Sequence, residues 1–504
     1  MRNRLVKGLP VVCFSLLAIV SCGSMPVGTR TPASVIVPPK LEGDLVAVAR
    51  QIAAQARSPE LTATNCGIYL DLLQDELSAF DIRKQDATKM KTVTAALTEG
   101  LWQIRLAFHD RLPELGNACW ANIKTTFRKL RAAEEYLSET AYRIPHQDPA
   151  AKDFDFQAQP TPFLDRDSRY LVLTRKPNAP ITFRRGDAMV ARGVSFLSAM
   201  IARLGNIDSQ FSHVILVADD PRDPKHTLGT IESYVGEGVN FHEMHWALKN
   251  ENARLLLLRP RDPKLAETAA VGMAKRVADL ASHGKKIHYD YKLDFKHDET
   301  MSCAEVSQVA YRTASQGSIE IPEFPTVIHE GQNLLDNLAI KGGETFSPGD
   351  LEIDSRFELV AEFRDLRLTR DSRIKDAILT RMLAWMDQGY RIVPTTKAKM
   401  AAGPIRIARK TFLWPLVQKL IHADDFSKEI PGPMLKTVVM MNAIGEVLLN
   451  EAWQSDLAYE RKTGWPMTYD QLYAMLDDYR ARDAAIYANP ATRNRAAFHK
   501  LFHP

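Results

Sequence analysis

A cysteine at the predicted start of a helix is the residue best suited to chemistry in this chain. In the run Met301–Val306, Ser302 and Glu305 have the spacing of a capping box with Ser302 as the N-cap. Cys303 would then be the first helical residue, where unpaired N–H groups and the positive end of the helix dipole stabilise a thiolate. We therefore predict that Cys303 is a nucleophile and that its backbone N–H helps to form an oxyanion hole.

A thiolate nucleophile needs a general base, and that base needs a group that orients it. His213 begins the apolar run Val214–Val217, which predicts a buried strand with the imidazole projecting from its end. Glu232 lies in the next β-rich run, Thr230–Val235, and would stand beside His213 if the two strands pair. The alternatives are a structural histidine and a solvated strand glutamate.

These residues belong to a series of motifs with a recognisable order. The series comprises Arg185-Gly186-Asp187, Ser212-His213-Val214, Glu232, His288-Tyr289-Asp290-Tyr291 and Ser302-Cys303-Ala304-Glu305. It resembles the permuted papain-like NlpC/P60 hydrolases of the YiiX/YebB type, whose catalytic residues follow the chain order His, Glu, Cys. The resemblance spans about residues 180–330 and implies that His213 is the base, Glu232 the orienting group and Cys303 the nucleophile. Ala304 departs from the pattern, which has a small polar residue at that position.

The resemblance implies a thiol-dependent hydrolase that forms a thioacyl-enzyme. Its expected substrate is an amide, as in the stem peptides of peptidoglycan. A thiol suits esters and thioesters equally, and some relatives act on lipids, so an acyl hydrolase or acyltransferase is an alternative. A non-catalytic envelope scaffold is another alternative. Tyr291 and Ser302 are expected in the pocket and oxyanion region.

No metal or other cofactor is expected. His242, Glu243 and His245 lie close together in the sequence but lack the remainder of any zinc pattern. The chain also contains neither a dinucleotide-binding glycine fingerprint nor a phosphate-binding loop of the G-K-[ST] type.

The N-terminus has the features of an export signal. Three basic residues precede an apolar run, Leu9–Val20, that is too short to span a bilayer comfortably. The following Ser21-Cys22-Gly23 resembles the lipobox of bacterial lipoproteins, in which the cysteine is diacylated and becomes the mature N-terminus. We therefore predict lipidation of Cys22, and Gly23 favours an outer-membrane anchor facing the periplasm. The alternative is a plain signal peptide with an incidental cysteine.

The charge balance does not favour nucleic acid as a partner. The formal net charge is +4, from 65 basic and 61 acidic residues. Arg2, Arg4 and Lys7 would leave with the signal peptide, so 62 basic residues would remain against 61 acidic ones. The expected partners are the membrane, through the lipid, and a peptidoglycan peptide or acyl substrate.

The cysteines can be assigned by compartment. Cys13 would be removed and Cys22 would carry lipid, which leaves three cysteines in an oxidising periplasm. Cys66 and Cys119 both fall in the helical N-terminal region, so we predict a disulfide between them and a free Cys303. The alternative is a pair of buried free thiols.

Changes in composition divide the chain into segments. Prolines among small residues predict a tether, helical apolar spacing predicts helical regions on both sides of the centre, and short β-rich runs predict an α+β domain. The expected fold class is α+β, with a permuted papain-like (NlpC/P60) domain between helical N-terminal and C-terminal regions. The predicted segments are a signal peptide at 1–21, a lipidated proline-rich tether at 22–40, a helical domain at 41–145, a linker at 146–175, the hydrolase domain at 176–345 and a helical region at 355–504.

Overall fold

The structure is a computed structural model. It describes residues 35–141, 170–176, 179–205, 208–249, 251–293, 298–328, 335, 338, 340–393 and 429–504. The predicted signal peptide, residues 22–34 of the tether with Cys22, residues 142–145 of the predicted helical domain and residues 146–169 of the predicted linker lie outside the described residues. The described residues from Ile36 to Pro504 form one compact unit.

The fold is mixed α+β, which confirms the predicted class at that level. The helices are α1 Leu45–Arg57, α2 Cys66–Ala79, α3 Ala87–Leu115, α4 Trp120–Ala141, α5 Phe196–Ile201, α6 Met244–Lys249, α7 Pro263–Ser282, α8 Cys303–Ala314, α9 Leu366–Asp387, α10 Gly432–Thr463 and α11 Tyr469–Ala488. The strands are β1 Tyr170–Thr174, β2 Ala188–Gly193, β3 His213–Asp219, β4 Leu228–Tyr234, β5 Gly238–Glu243, β6 Asn252–Pro260, β7 Thr326–Ile328, β8 Gly343–Thr345, β9 Phe357–Asp365, β10 Arg391–Ile392 and β11 Phe502–His503. Short 3-10 turns occur at Ile82–Lys84, Gly116–Ala118, Pro348–Ile353 and Arg493–Arg495.

A seven-stranded sheet in the order β1-β9-β6-β2-β3-β4-β5 is the centre of the molecule, and all its neighbouring strands are antiparallel. Successive side chains of a strand point to opposite faces, so each face of the sheet has its own core. On one face Val214 and Leu216 pack with the apolar sides of α7 and α8. On the other face Ile215 and Val217 pack with Met244 of α6.

Helices α1 to α4 form an N-terminal bundle with its own core. Asp44 is the N-cap of α1, and its side chain accepts hydrogen bonds from the N–H groups of Val46 and Ala47. Its apolar stripe at helical spacing is buried in that core. Cys66 at the start of α2 and Cys119 just before α4 form the predicted disulfide, with their Cα atoms 6.1 Å apart.

Helices α9, α10 and α11 pack with α5 around a further core. Thr468 and Gln471 form the capping box that begins α11, as the sequence predicts. Among the described residues, one helix, α10, is long and apolar enough to cross a membrane by length and composition. A core helix can have the same length and composition, and Ile444 and Leu448 of α10 are fully buried in the core.

Four strands lie in segments for which the sequence analysis predicts none. Strand β1 falls inside the predicted linker at 146–175, and β9 falls inside the predicted helical region at 355–504 together with the two-residue strands β10 and β11. β1 is a short apolar run that is buried because it pairs with β9 along its whole length. β9 carries Glu362 and Arg364 at buried positions, and these charges obscure its strand pattern.

The buried charges of β9 belong to an ionic network that joins the bundle to the sheet. Arg105 of α3 contacts Glu362, and it also contacts Glu352 at 2.8 Å and Glu134 of α4 at 3.3 Å. Arg364 contacts Glu362 at 2.7 Å and also contacts Glu134. These side chains are almost entirely buried, so each charge depends on its partners for stabilisation.

Candidate active site

Cys303 is the first residue of α8, as predicted, and its side chain is buried. The N–H of Ser302 donates to Oε2 of Glu305 at 2.6 Å, within the predicted capping box. The segment before the helix is held because the Ser233 hydroxyl donates to the carbonyl of Met301 at 2.6 Å. Sγ of Cys303 lies 3.9 Å from the carbonyl oxygen of Ser212, so the cysteine reaches the residue before His213.

The structure brings His213 and Glu232 together at the ends of two paired strands. His213 begins β3, where it pairs with Ala191 of β2. The backbone pairing of β3 with β4 extends only from Asp219 to Leu216 on the β3 side. Beyond that point His213 contacts β4 through its side chain, and its Nε2 lies 2.8 Å from Oε2 of Glu232.

The third member of the predicted triad reaches the same imidazole. The charge and hydrogen-bonding capacity of the Cys303 sulfur both act on His213 and raise the pKa of its imidazole. Because Nε2 faces Glu232, Nδ1 is the ring nitrogen left for the sulfur. Thiol, imidazole and carboxylate therefore stand in series, with 15% of the His213 side chain and none of the Glu232 side chain exposed.

The charges of the site stabilise a protonated imidazole. Burial acts to lower the pKa of His213, but the charge of Cys303, the hydrogen bond to it and Glu232 together raise this pKa to about 10. Burial acts to raise the pKa of Glu232, but its hydrogen bond and charge interaction with His213 lower it overall. Near neutral pH the pair is thus an imidazolium beside a carboxylate.

Two further residues, which the sequence analysis did not identify, hold the carboxylate. The Thr230 hydroxyl donates to Oε1 of Glu232 at 2.7 Å, and the Tyr234 hydroxyl donates to Oε2 at 2.8 Å. Thr230, Glu232 and Tyr234 alternate along β4 and so share one face of the sheet. That period of two is the sequence signal that could have identified them.

Tyr291 and Ser302 are placed near the site but have structural partners. The Tyr291 hydroxyl donates to the carbonyl of Val235 at 2.6 Å, and the N–H of Ser302 is taken by Glu305. The ring of Tyr291 lies 5.1 Å from that of Tyr289. Burial and the nearby charge of Cys303 raise the pKa of Tyr289 well above its usual value. Of the two tyrosines, Tyr289 is therefore the one whose hydroxyl interacts electrostatically with the sulfur.

Tyr289 and Tyr291 form part of an apolar cleft beside the site. The cleft is also lined by Leu197, Met200, Ile201, Leu204, Val235, Leu293, Leu338, Ile340, Ile430, Met434 and Val438. Val235 follows Tyr234 directly, so the cleft begins one residue from the group that holds Glu232. Its volume is about 50 Å³.

Gly186 and Asp187, in the first motif of the series, make contacts with α7 and β6. Gly186 has a φ of +81°, and a Cβ there would lie 2.3 Å from the carbonyl oxygen of Ala266 in α7, so the position requires glycine. Asp187 accepts from Nε and Nη2 of Arg259 at 2.9 and 2.7 Å. Both residues have structural contacts within the fold.

One of the two histidines that lie close together in the sequence, His242 on β5, makes an aromatic contact. His242 stacks on Trp246 of α6 with ring centroids 4.2 Å apart. No group of three or more His, Cys, Asp and Glu side chains that could hold a metal ion occurs in the described part of the chain.

In comparisons with known proteins, the chain matches no family model, no curated protein and no solved structure. The functional assignment therefore depends on the geometry of the site and on the motifs of the sequence.

Proposed function

We propose that the protein is a thiol-dependent hydrolase in which Cys303 is the nucleophile, His213 the general base and acid, and Glu232 the orienting group. The observation that carries the proposal is the 2.8 Å contact of the His213 imidazole with a fully buried carboxylate, at a histidine whose neighbour Ser212 lies 3.9 Å from the Cys303 sulfur. A packing cysteine does not require a histidine whose second nitrogen is held by a buried glutamate.

The proposed reaction cleaves an amide in two steps. The Cys303 thiolate forms a C–S bond with the carbonyl carbon, and the oxyanion receives hydrogen bonds from N–H groups at the start of α8. Collapse breaks the C–N bond, and the His213 imidazolium gives its proton to the leaving amine. His213 then takes a proton from water, whose oxygen attacks the thioester, and the Cys303 thiolate leaves.

We further propose that the sheet and α8 form a permuted papain-like (NlpC/P60) domain. Support comes from the motif order His213, Glu232, Cys303 and from a nucleophile helix packed on an antiparallel sheet. The proposed substrate is the amide of a peptidoglycan peptide. The proposed location is the bacterial cell envelope, where lipid on Cys22 would hold the protein at the outer membrane, facing the periplasm.

A second candidate is an acyl hydrolase or acyltransferase that acts on lipid esters or thioesters. The apolar cleft beside Tyr289 favours it to this extent: its lining side chains are almost all aliphatic or aromatic, and its volume of about 50 Å³ has room for a few carbon atoms next to the site. The thioacyl-enzyme chemistry is the same for both substrates, so the bound acyl group distinguishes them.

The test separates these candidates by their products. Purified sacculi and phospholipid vesicles are incubated with the wild-type protein and with Cys303→Ala. Peptides released only by the wild type would support amide cleavage, and fatty acids released only by the wild type would support the acyl candidate. The mass of an acyl-enzyme trapped in a His213 variant identifies the acyl group.

A substrate-independent measurement tests whether the site is active at all. Iodoacetamide should modify Cys303 rapidly near neutral pH, and His213→Ala or denaturation should slow this modification. A wild-type rate equal to that of a free peptide thiol, with no product from either substrate, would favour the non-catalytic scaffold.

A further inference from the structure

Tyr234 contacts both members of the His213–Glu232 pair. Its hydroxyl donates to Oε2 of Glu232 at 2.8 Å, the same oxygen that faces Nε2 of His213. Its ring centroid lies 4.7 Å from that of His213, with the planes tilted by 32°. One side chain therefore restrains both the carboxylate oxygen and the face of the imidazole.

The register of the sheet explains this double contact. The last β3–β4 backbone pair joins Leu216 to Ile231. Continuing the antiparallel register by three residues brings His213 opposite Tyr234, although the backbones no longer pair there. Tyr234 thus occupies the cross-strand position of the base.

Tyr234 is itself supported by two aromatic rings. Its ring meets His242 at 5.5 Å and Trp246 at 5.4 Å, both edge to face. Since 39% of Trp246 is exposed, this aromatic group extends from the surface to the buried carboxylate. It covers the His213–Glu232 hydrogen bond on the side of α6 and β5.

We propose that Tyr234 is a positioning residue of the site, which keeps Glu232 ionised and the imidazole oriented toward Cys303. This inference rests on the proposed function. Donation by a hydroxyl stabilises the charged form of a buried carboxylate, which can then accept the imidazole N–H. The titratable groups facing Glu232 are His213 on β3, Tyr234 on β4 and, across the imidazole, Cys303 on α8, while His242 on β5 packs behind Tyr234.

The test uses Tyr234→Phe, which keeps the ring and removes the hydroxyl. Glu232 then loses a donor and should take up a proton at a higher pH, where a neutral carboxyl no longer stabilises the imidazolium. We expect the acidic limb of the rate of Cys303 alkylation to move to higher pH, with a loss of about tenfold at pH 5 and little change at pH 8. Tyr69→Phe, which removes a hydroxyl bonded to Gln55 in the bundle, is the matched control and should leave the profile unchanged.

A structural role would give a different result. A loss of rate that is equal at all pH values, or an unchanged profile, would overturn the positioning role of Tyr234. If the wild-type thiol itself reacts slowly, the proposed function fails, and the ring ¹H–¹⁵N shifts of His213 then decide the inference separately. The Glu232 titration step seen in those shifts should move to higher pH in Tyr234→Phe, and an unmoved step would contradict the proposal.

Discussion

Nε2 of His213 and Oε2 of Glu232 lie 2.8 Å apart, although 19 residues separate them in the chain. The contact depends on two antiparallel strands whose backbone pairing stops before their ends. The carboxylate is fully buried and the imidazole is only slightly exposed, so each side chain depends on the other for its hydrogen bond.

Glu232→Gln should slow alkylation of Cys303 at pH 7 by about tenfold or more, since a neutral amide of similar shape no longer stabilises the imidazolium. Rates of iodoacetamide modification measure the effect, and thermal unfolding checks that the fold is kept. Glu237→Gln is the control, because Glu237 is about half exposed. Equal rates in Glu232→Gln and the wild type would argue against an orienting role.

His213 should retain its proton through neutral pH and titrate near pH 10, the value to which its surroundings raise the pKa. Cys303→Ala removes the charge of the sulfur, so the His213 pKa should fall in that variant. NMR titration of the imidazole measures both midpoints. A wild-type midpoint at the ordinary value of about 6.5 would contradict the ion pair.

The same raised pKa has a consequence for stability. A group whose pKa is higher in the folded state contributes its full stabilisation below the unfolded value of about 6.5 and loses it as the pH rises toward 10. The free energy of unfolding, measured in urea between pH 6.5 and 10, should therefore fall more steeply for the wild type than for Cys303→Ala. Parallel curves would count against the linkage.

Removal of the disulfide in Cys66→Ala/Cys119→Ala should lower the free energy of unfolding by about 4 kcal/mol. The reason is that the bond closes a loop across 53 residues of the unfolded chain. Urea denaturation of the oxidised protein and the double variant gives the difference. A difference of less than about 1 kcal/mol would show that the bundle does not depend on this bond.

Arg105→Leu should destabilise the protein by about 3–5 kcal/mol, because three buried carboxylates would lose a shared cation. The matched control is Arg83→Leu, which breaks a partly exposed pair with Asp81 and should cost at most about 1 kcal/mol. Chemical denaturation measures both variants. Similar losses in the two would indicate that burial of the Arg105 network adds nothing.

The sequence predicts the parts of this fold that depend on local pattern. The apolar runs after His213 and around Glu232 are strands of one sheet, and Ser302 with Glu305 begins the helix of Cys303. The neighbouring positions of His213 and Glu232 follow from the pairing of consecutive strands. This prediction succeeds because antiparallel neighbours connected by a short loop need no long-range information.

The features missed by the sequence analysis are those fixed by distant partners. The sequence does not indicate β9 as a strand, because Glu362 and Arg364 break its apolar pattern and their partners Arg105 and Glu134 lie in the N-terminal bundle. It does not indicate the role of Tyr234 either, because that role depends on the register beyond the last backbone pair. Such contacts become visible only when the full packing is known.

The pairing of β6 with β9 limits how the chain can be divided. An excised fragment spanning residues 176–345 would keep β6 but lose its β9 partner, so a row of backbone donors and acceptors would face water. Such an open border invites intermolecular pairing and precipitation. A minimal fragment that contains Cys303 should therefore extend through Asp365. Such a fragment would also lack the bundle residue Arg105, so the buried charge of Glu362 would need another cationic partner.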